Sequence, residues 1–163
     1  MSELLAEKTF KESKPYEVVE IQASKEEAIE RARTDLNFFA SILIPTIMEF
    51  DFPPFYVGIF NLLKDRNLAQ IGRILRFALG LPRGHAKTTF IKILICWLIV
   101  YDKISFAAVI CATDDLAEAL IDDINDMLGS ENCQSLYGYW SRQMLVDNKG
   151  EKQSLYRGRH IIL

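Results

Sequence analysis

Leu81-Pro82-Arg83-Gly84-His85-Ala86-Lys87-Thr88-Thr89 is the stretch on which the reading of this chain turns. An apolar run, residues 74–79, leads into it, and a second, residues 90–101, leads out. That order predicts a strand, a tight loop and a helix. Such a loop turns backbone N–H groups and a helix N-terminus toward a phosphate. Lys87 would set its ammonium against β- and γ-phosphates, and Thr88 would offer its hydroxyl to Mg²⁺. The N–H groups of Gly84, His85, Ala86, Lys87, Thr88 and Thr89 would line the anion nest. The common pattern G-x-x-x-x-G-K-[ST] has Leu81 and Ala86 at its glycine positions here, with Gly84 inside the loop and Pro82 before it. Glycine serves such loops because it accepts positive φ and lets the backbone approach phosphate. The extra methyl of Ala86 is compatible with a negative φ. Arg83 could reach a γ-phosphate as an arginine supplied in cis, or else make a surface ion pair or a DNA-phosphate contact. His85 reads as a loop side chain without catalytic duty.

Moving outward, residues 73–79 read as a buried strand and residues 104–112 as a second, almost without polar atoms. Continuous apolar runs of this length mark strands covered on both faces, as in parallel sheets. With a helix over 90–101 between them and another from Thr113 or Asp114 to Leu128, the order β–loop–α–β–α implies right-handed crossovers. The predicted fold class is therefore α/β. It is a P-loop NTPase-type parallel sheet flanked by helices, incomplete within this chain, with a helical segment on its N-terminal side. In that segment Ser24 and Glu27 form a capping box. Ala28, Ala32, Leu36, Phe39 and Leu43 recur at helical spacing until Pro45. Residues 1–22 read as an arm and 23–163 as the ATPase portion. Pro53-Pro54 reads as a rigid turn, and residues 55–63 as a short helix closed by Lys64, Asp65 and Arg66.

The helix after Thr113 has an apolar stripe, Leu116, Leu120, Ile124 and Met127, with Gly129 as its C′ residue. Its other face, Asp115, Glu118, Asp122, Asp123 and Asp126, carries no Lys or Arg. That face reads as solvated, or as a surface for a basic partner. Beyond Gly129 the pattern is irregular and rich in aromatics, and the apolar run Ile161-Ile162-Leu163 suggests a piece of a longer protein.

At 163 residues the chain can bury one substantial core. Its net charge of −3 excludes a domain that is basic over a wide face, so any nucleic-acid contact must be local. Cys96, Cys111 and Cys133 have no C-x-x-C spacing and read as small hydrophobes of a reducing compartment. The first fourteen residues are polar and mixed in charge, unlike a secretory signal. The run 90–101 falls short of the roughly 20 residues a membrane span needs.

The loop residues Pro82-Arg83-Gly84-His85-Ala86-Lys87-Thr88 resemble the variant Walker A of the large terminase subunits of tailed bacteriophages, often P-R-G-H-G-K-[ST]. Phe50-Asp51-Phe52-Pro53-Pro54-Phe55 upstream resembles that family's adenine-side segment. Residues 106–112 followed by Thr113-Asp114-Asp115-Leu116-Ala117 are similar to its next strand and helix. The resemblance covers roughly residues 38–126. It implies a motor ATPase that uses ATP and Mg²⁺ to drive double-stranded DNA into a procapsid, with a separate nuclease domain. It also implies a homo-oligomeric ring, a portal protein and a small terminase subunit as partners, no membrane, and the host cytoplasm as location. By matching positions, Arg83 and Lys87 would be catalytic and Thr88 the Mg²⁺-side hydroxyl.

The chain departs from the family at Ala86, in having no glutamine near Phe55-Tyr56, and in having no apolar strand ending in paired acids after residue 130. Arg157-Gly158-Arg159 resembles the segment that leads into that acid-bearing strand, so the acid is expected beyond Leu163. ATP turnover by this chain alone is accordingly expected to be slight. Asp114-Asp115 is an alternative place for the acids, though capping of the helix N-terminus explains both. Two other readings remain: a helicase-like P-loop motor, and a non-enzymatic module that binds through the acidic helix.

Overall fold

The computed structural model describes residues 25–45, 51–64 and 78–163. Among them are six α-helices: α1 (Lys25–Thr34), α2 (Leu36–Leu43), α3 (Pro54–Lys64), α4 (Lys87–Val100), α5 (Asp114–Leu128) and α6 (Glu131–Tyr137). A short 3₁₀ turn (Ser141–Gln143) then leads to three strands, β1 (Met144–Asp147), β2 (Lys152–Tyr156) and β3 (Arg159–Ile162). The strands form a sheet of order β1-β2-β3, antiparallel throughout.

This overturns the predicted parallel P-loop NTPase sheet, and the connections explain why. Parallel neighbours need a crossover of a dozen or more residues. Here four residues join β1 to β2, and Arg157 and Gly158 alone join β2 to β3. Both take positive φ, 51° and 79°, the pattern of the tight hairpin turn whose twist suits antiparallel strands. The segment read as a second buried strand, residues 104–112, forms no strand. It makes one parallel bridge, Phe106 to Ile162, through Ala107 N–H to Ile162 O and Ile162 N–H to Ser105 O, both 3.0 Å. Phe106 is 65% and Ile110 94% exposed, so its apolar composition does not report cover on two faces. The first strand expected, residues 73–79, lies outside the described residues up to 77, and residues 78–80 have no regular structure.

The N-terminal stripe forms as its spacing requires. Ala28, Ala32, Leu36, Phe39 and Leu43 are all buried. Two helices carry it rather than one, because Asp35 turns its backbone extended (φ −113°, ψ 105°) and accepts the Phe38 N–H on its own carboxylate at 3.0 Å. A short acidic side chain competes for backbone donors in this way and starts a new helix. Ser24 of the expected capping box lies outside the described residues. Pro54 occupies the first position of α3, where its missing N–H costs nothing.

The apolar helix α4 runs through the middle of the core. Phe90, Ile93, Cys96, Trp97, Ile99 and Val100 are buried, and α2 and α5 pack against it. Burial holds the Cys96 thiol well above its ordinary range, and raises that of Cys133 to about 12. No helix among the described residues is long and apolar enough to cross a membrane. The Trp97 indole N–H, 1% exposed at the residue level, has no hydrogen-bond acceptor among the described residues. Such a donor costs about 1–3 kcal/mol.

Helix α5 is rotated from its predicted stripe: Ile121, Ile124, Met127 and Leu128 are buried, while Leu116 is 57% exposed. Two of its acids meet intrachain cations, Asp123 with Lys92 at 2.7 Å and Asp122 with Lys152 at 3.1 Å. Gly129 ends the helix with a right-handed φ of −82°. The supposedly irregular tail is regular: Ser130 caps α6, and the hairpins follow. Trp140 and Tyr156 stack edge to face, and Ser154 donates to Trp140 O at 2.7 Å, which seats the sheet on the helices.

Lys152 joins the sheet to α5, donating to Asp147 at 2.7 Å and pairing with Asp122. The bond to Asp147 raises its pKa from the ordinary 10.5, burial opposes this, and Asp122 reinforces the rise. A raised lysine contributes stability that is complete below the unfolded value and lost as pH climbs through the folded one. Chemical denaturation followed across pH should therefore show stability falling above about pH 10.5 more steeply in the native chain than in Lys152→Met. Identical alkaline limbs would contradict this.

Candidate functional site: the loop before helix α4

Residues 81–86 form an exposed turn that delivers the chain to α4 at Lys87. Gly84 (φ 87°) and Ala86 (φ 52°, ψ 27°) both occupy left-handed backbone. The negative φ that would suit the extra methyl of Ala86 is therefore not adopted: this residue takes the conformation for which glycine is ordinarily required. A left-handed residue followed by a right-handed one, as at Ala86-Lys87, turns successive N–H groups toward one side, the geometry of an anion nest.

The start of α4 differs from those of its neighbours. Asp35, Thr113 and Ser130 cap α2, α5 and α6 with side-chain oxygens. Ala86 offers α4 no such cap, and no acid lies in its first turn. The leading N–H groups of α4 are therefore left to solvent or to an anion, with the positive end of the helix dipole behind them.

Two bonds fix the loop. The Lys87 ammonium folds back over it and donates to Leu81 O at 2.5 Å and Pro82 O at 2.8 Å, joining the loop's exit to its entrance. From the other side Tyr56, fully buried in α3, donates its phenol to His85 O at 2.5 Å. Burial pushes that phenol above its usual range. The ring of Tyr56 lies 4.4 Å from that of Phe90, and Phe52 meets both edge to face at 5.4 Å and 6.0 Å. An aromatic wedge thus sits under the loop and couples α3 to the first turn of α4.

Lys87, Gly84 and the start of α4 are brought together as the sequence suggests. Arg83 is exposed and has no ion pair among the described residues. His85 approaches its own loop, Nδ1 lying 3.4 Å from Arg83 O. Thr88 is exposed and Thr89 half-buried. Asp114 and Asp115 begin α5 behind the Thr113 cap, which accepts Leu116 N–H at 3.4 Å, so capping accounts for them. Sequence reasoning missed Tyr56, whose neighbours in the chain give no sign of a partner 29 residues away.

These residues suit a phosphate: a nest, an uncapped helix start, and an ammonium already within the loop. No group of three His, Cys, Asp or Glu that could hold a metal occurs among the described residues. Mg²⁺ commonly takes one or two protein oxygens and completes its shell with phosphates and water, which leaves Thr88 as a usable ligand.

Left-handed backbone costs a non-glycine residue about 1–2 kcal/mol. Ala86→Gly removes this strain but adds about 0.4–1 kcal/mol of unfolded-state entropy. The variant should be more stable by roughly 0.5 kcal/mol, a rise in melting temperature of roughly 1–2 °C. A lower melting temperature would contradict the assigned φ.

No family model matches this sequence, and neither the curated proteins nor the solved structures contain a match to it.

Proposed function

We propose that the chain is the ATP-binding part of a viral DNA-packaging motor of the large-terminase kind, with the loop 81–89 as its nucleotide site. The observation that supports this most is the uncapped start of α4 behind two left-handed residues, with Lys87 folded over the loop. Gly84 to Thr89 supply backbone donors, and Lys87 exchanges the carbonyls of Leu81 and Pro82 for phosphate oxygens. Thr88 holds the Mg²⁺ side, and Arg83, on the loop and without an ion pair among the described residues, meets charge at the γ-position. Tyr56 keeps the nest in shape through His85 O, so that donors are aimed before the anion arrives. ATP, when bound, supplies the phosphoryl group whose transfer drives translocation of double-stranded DNA. Portal protein and small terminase subunit are the partners in this reading, a homo-oligomeric ring the working form, and the host cytoplasm its place.

The test is thermal unfolding with and without Mg–ATP at millimolar concentration. A ligand at a hundred times its Kd stabilises the fold by about 2.7 kcal/mol. A rise in melting temperature that saturates with ATP supports the reading, and none at any concentration defeats it.

A further inference from the structure

We propose that the chain carries a second anion site, away from the loop, that takes a small, multiply charged oxyanion of the phosphate class between α1, α3 and the C-terminal end of α4. A cavity of about 230 Å³ opens there, lined by Arg33, Thr34, Lys64, Trp97, Tyr101 and Lys103. Of the six described residues that line it, three are cationic and none is a carboxylate, on a chain whose net charge is −3. Arg33 spends part of its charge on Glu30, 3.6 Å away at the surface, and lies over the Tyr101 ring at 5.3 Å. Lys64 and Lys103 have no ion pair among the described residues. Like charges do not converge on a concave surface without cost, and an anion between them removes it.

The wall of the same cavity includes Trp97, whose buried indole N–H has no acceptor among the described residues. A hollow that presents three cations is suited to an anion and not to a cation. An adjoining cavity shares Arg33 and Tyr101 and adds Lys25 and Arg157; the one acid among the described residues lining it, Asp102, is held by Arg159. The Tyr101 phenol, raised to about 12 chiefly by burial, brings no negative charge. The size selects the ligand: pockets for drug-sized molecules run to about 300–1,000 Å³, so pyrophosphate or a phosphate monoester fits where a whole nucleotide does not.

The two tryptophans make the test internal. Trp140 donates to Asn125 Oδ1 at 2.9 Å and serves as the reference for Trp97. Pyrophosphate is titrated at constant ionic strength while both indole N–H resonances are followed. The expected result is a saturating shift of the Trp97 signal with Trp140 unmoved. The midpoint should be unchanged in Lys87→Ala and raised at least tenfold in Lys64→Ala/Lys103→Ala. Should that pair of substitutions unfold the chain, Lys64→Gln/Lys103→Gln keeps the stems and removes the charges. Parallel drift of both signals, loss of the effect in Lys87→Ala, or indifference to the lysine pair would each overturn the site. A response to duplex DNA with none to pyrophosphate would do the same. Because Lys87→Ala disables the loop and not this cavity, failure of one site is distinguishable from failure of the other.

Discussion

Replacing Phe90 by alanine is expected to destabilise the fold by about 3–5 kcal/mol, the range for deleting a buried aromatic. Phe90 is 1% exposed, stands in the first turn of α4, and touches the rings of both Phe52 and Tyr56. Its removal opens a hole beneath the loop as well as in the core. Against a typical total of about 5–15 kcal/mol the loss is severe, and the melting temperature should fall by roughly 10 °C. Phe106→Ala is the matched control. It deletes the same side chain from an apolar run, but at 65% exposure its cost should stay within about 0.5 kcal/mol. Equal losses in the two variants would show that the packing around α4 is misassigned.

Lys87→Ala is expected to abolish most of the stabilisation by Mg–ATP while leaving the fold intact. The ammonium makes two hydrogen bonds, both to exposed or half-exposed loop carbonyls. Water can replace them, so their loss should cost about 1 kcal/mol of stability. A charge-assisted bond to phosphate is worth about 1.5–3 kcal/mol, a loss of roughly 10- to 100-fold in affinity. Differential scanning fluorimetry across an ATP series separates the two effects. A variant with an unchanged ATP response would remove Lys87 from the site.

The elements legible in the chain were those whose cause is local. The spacing of Ala28, Ala32, Leu36, Phe39 and Leu43 predicted their burial, and Thr113 announced the start of α5. The break at Asp35 was missed because a helical stripe continues through it. The sheet was misread for the opposite reason. The continuous apolar runs pointed to parallel strands, whereas the turns at Asn148-Lys149-Gly150 and Arg157-Gly158 dictate antiparallel neighbours. Composition could not say that Phe106 and Ile110 face solvent.

At the loop, the helix that follows was readable from the apolar run 90–101, but its onset at Lys87 and the left-handed φ of Ala86 were not, since alanine rarely adopts that φ. Partners distant in sequence were beyond reach altogether. Lys92 and Lys152 take two acids of α5 that alone read as a solvated face or a surface for a basic partner, and Tyr56 finds His85 29 residues away.

The most direct test of the phosphate-binding loop is amide resonance mapping of the chain on addition of Mg–ATP. The largest shifts should fall on Gly84, His85, Ala86, Lys87, Thr88 and Thr89, and they should saturate together. Shifts that avoid these six amides, or no shifts at millimolar ATP, would contradict it.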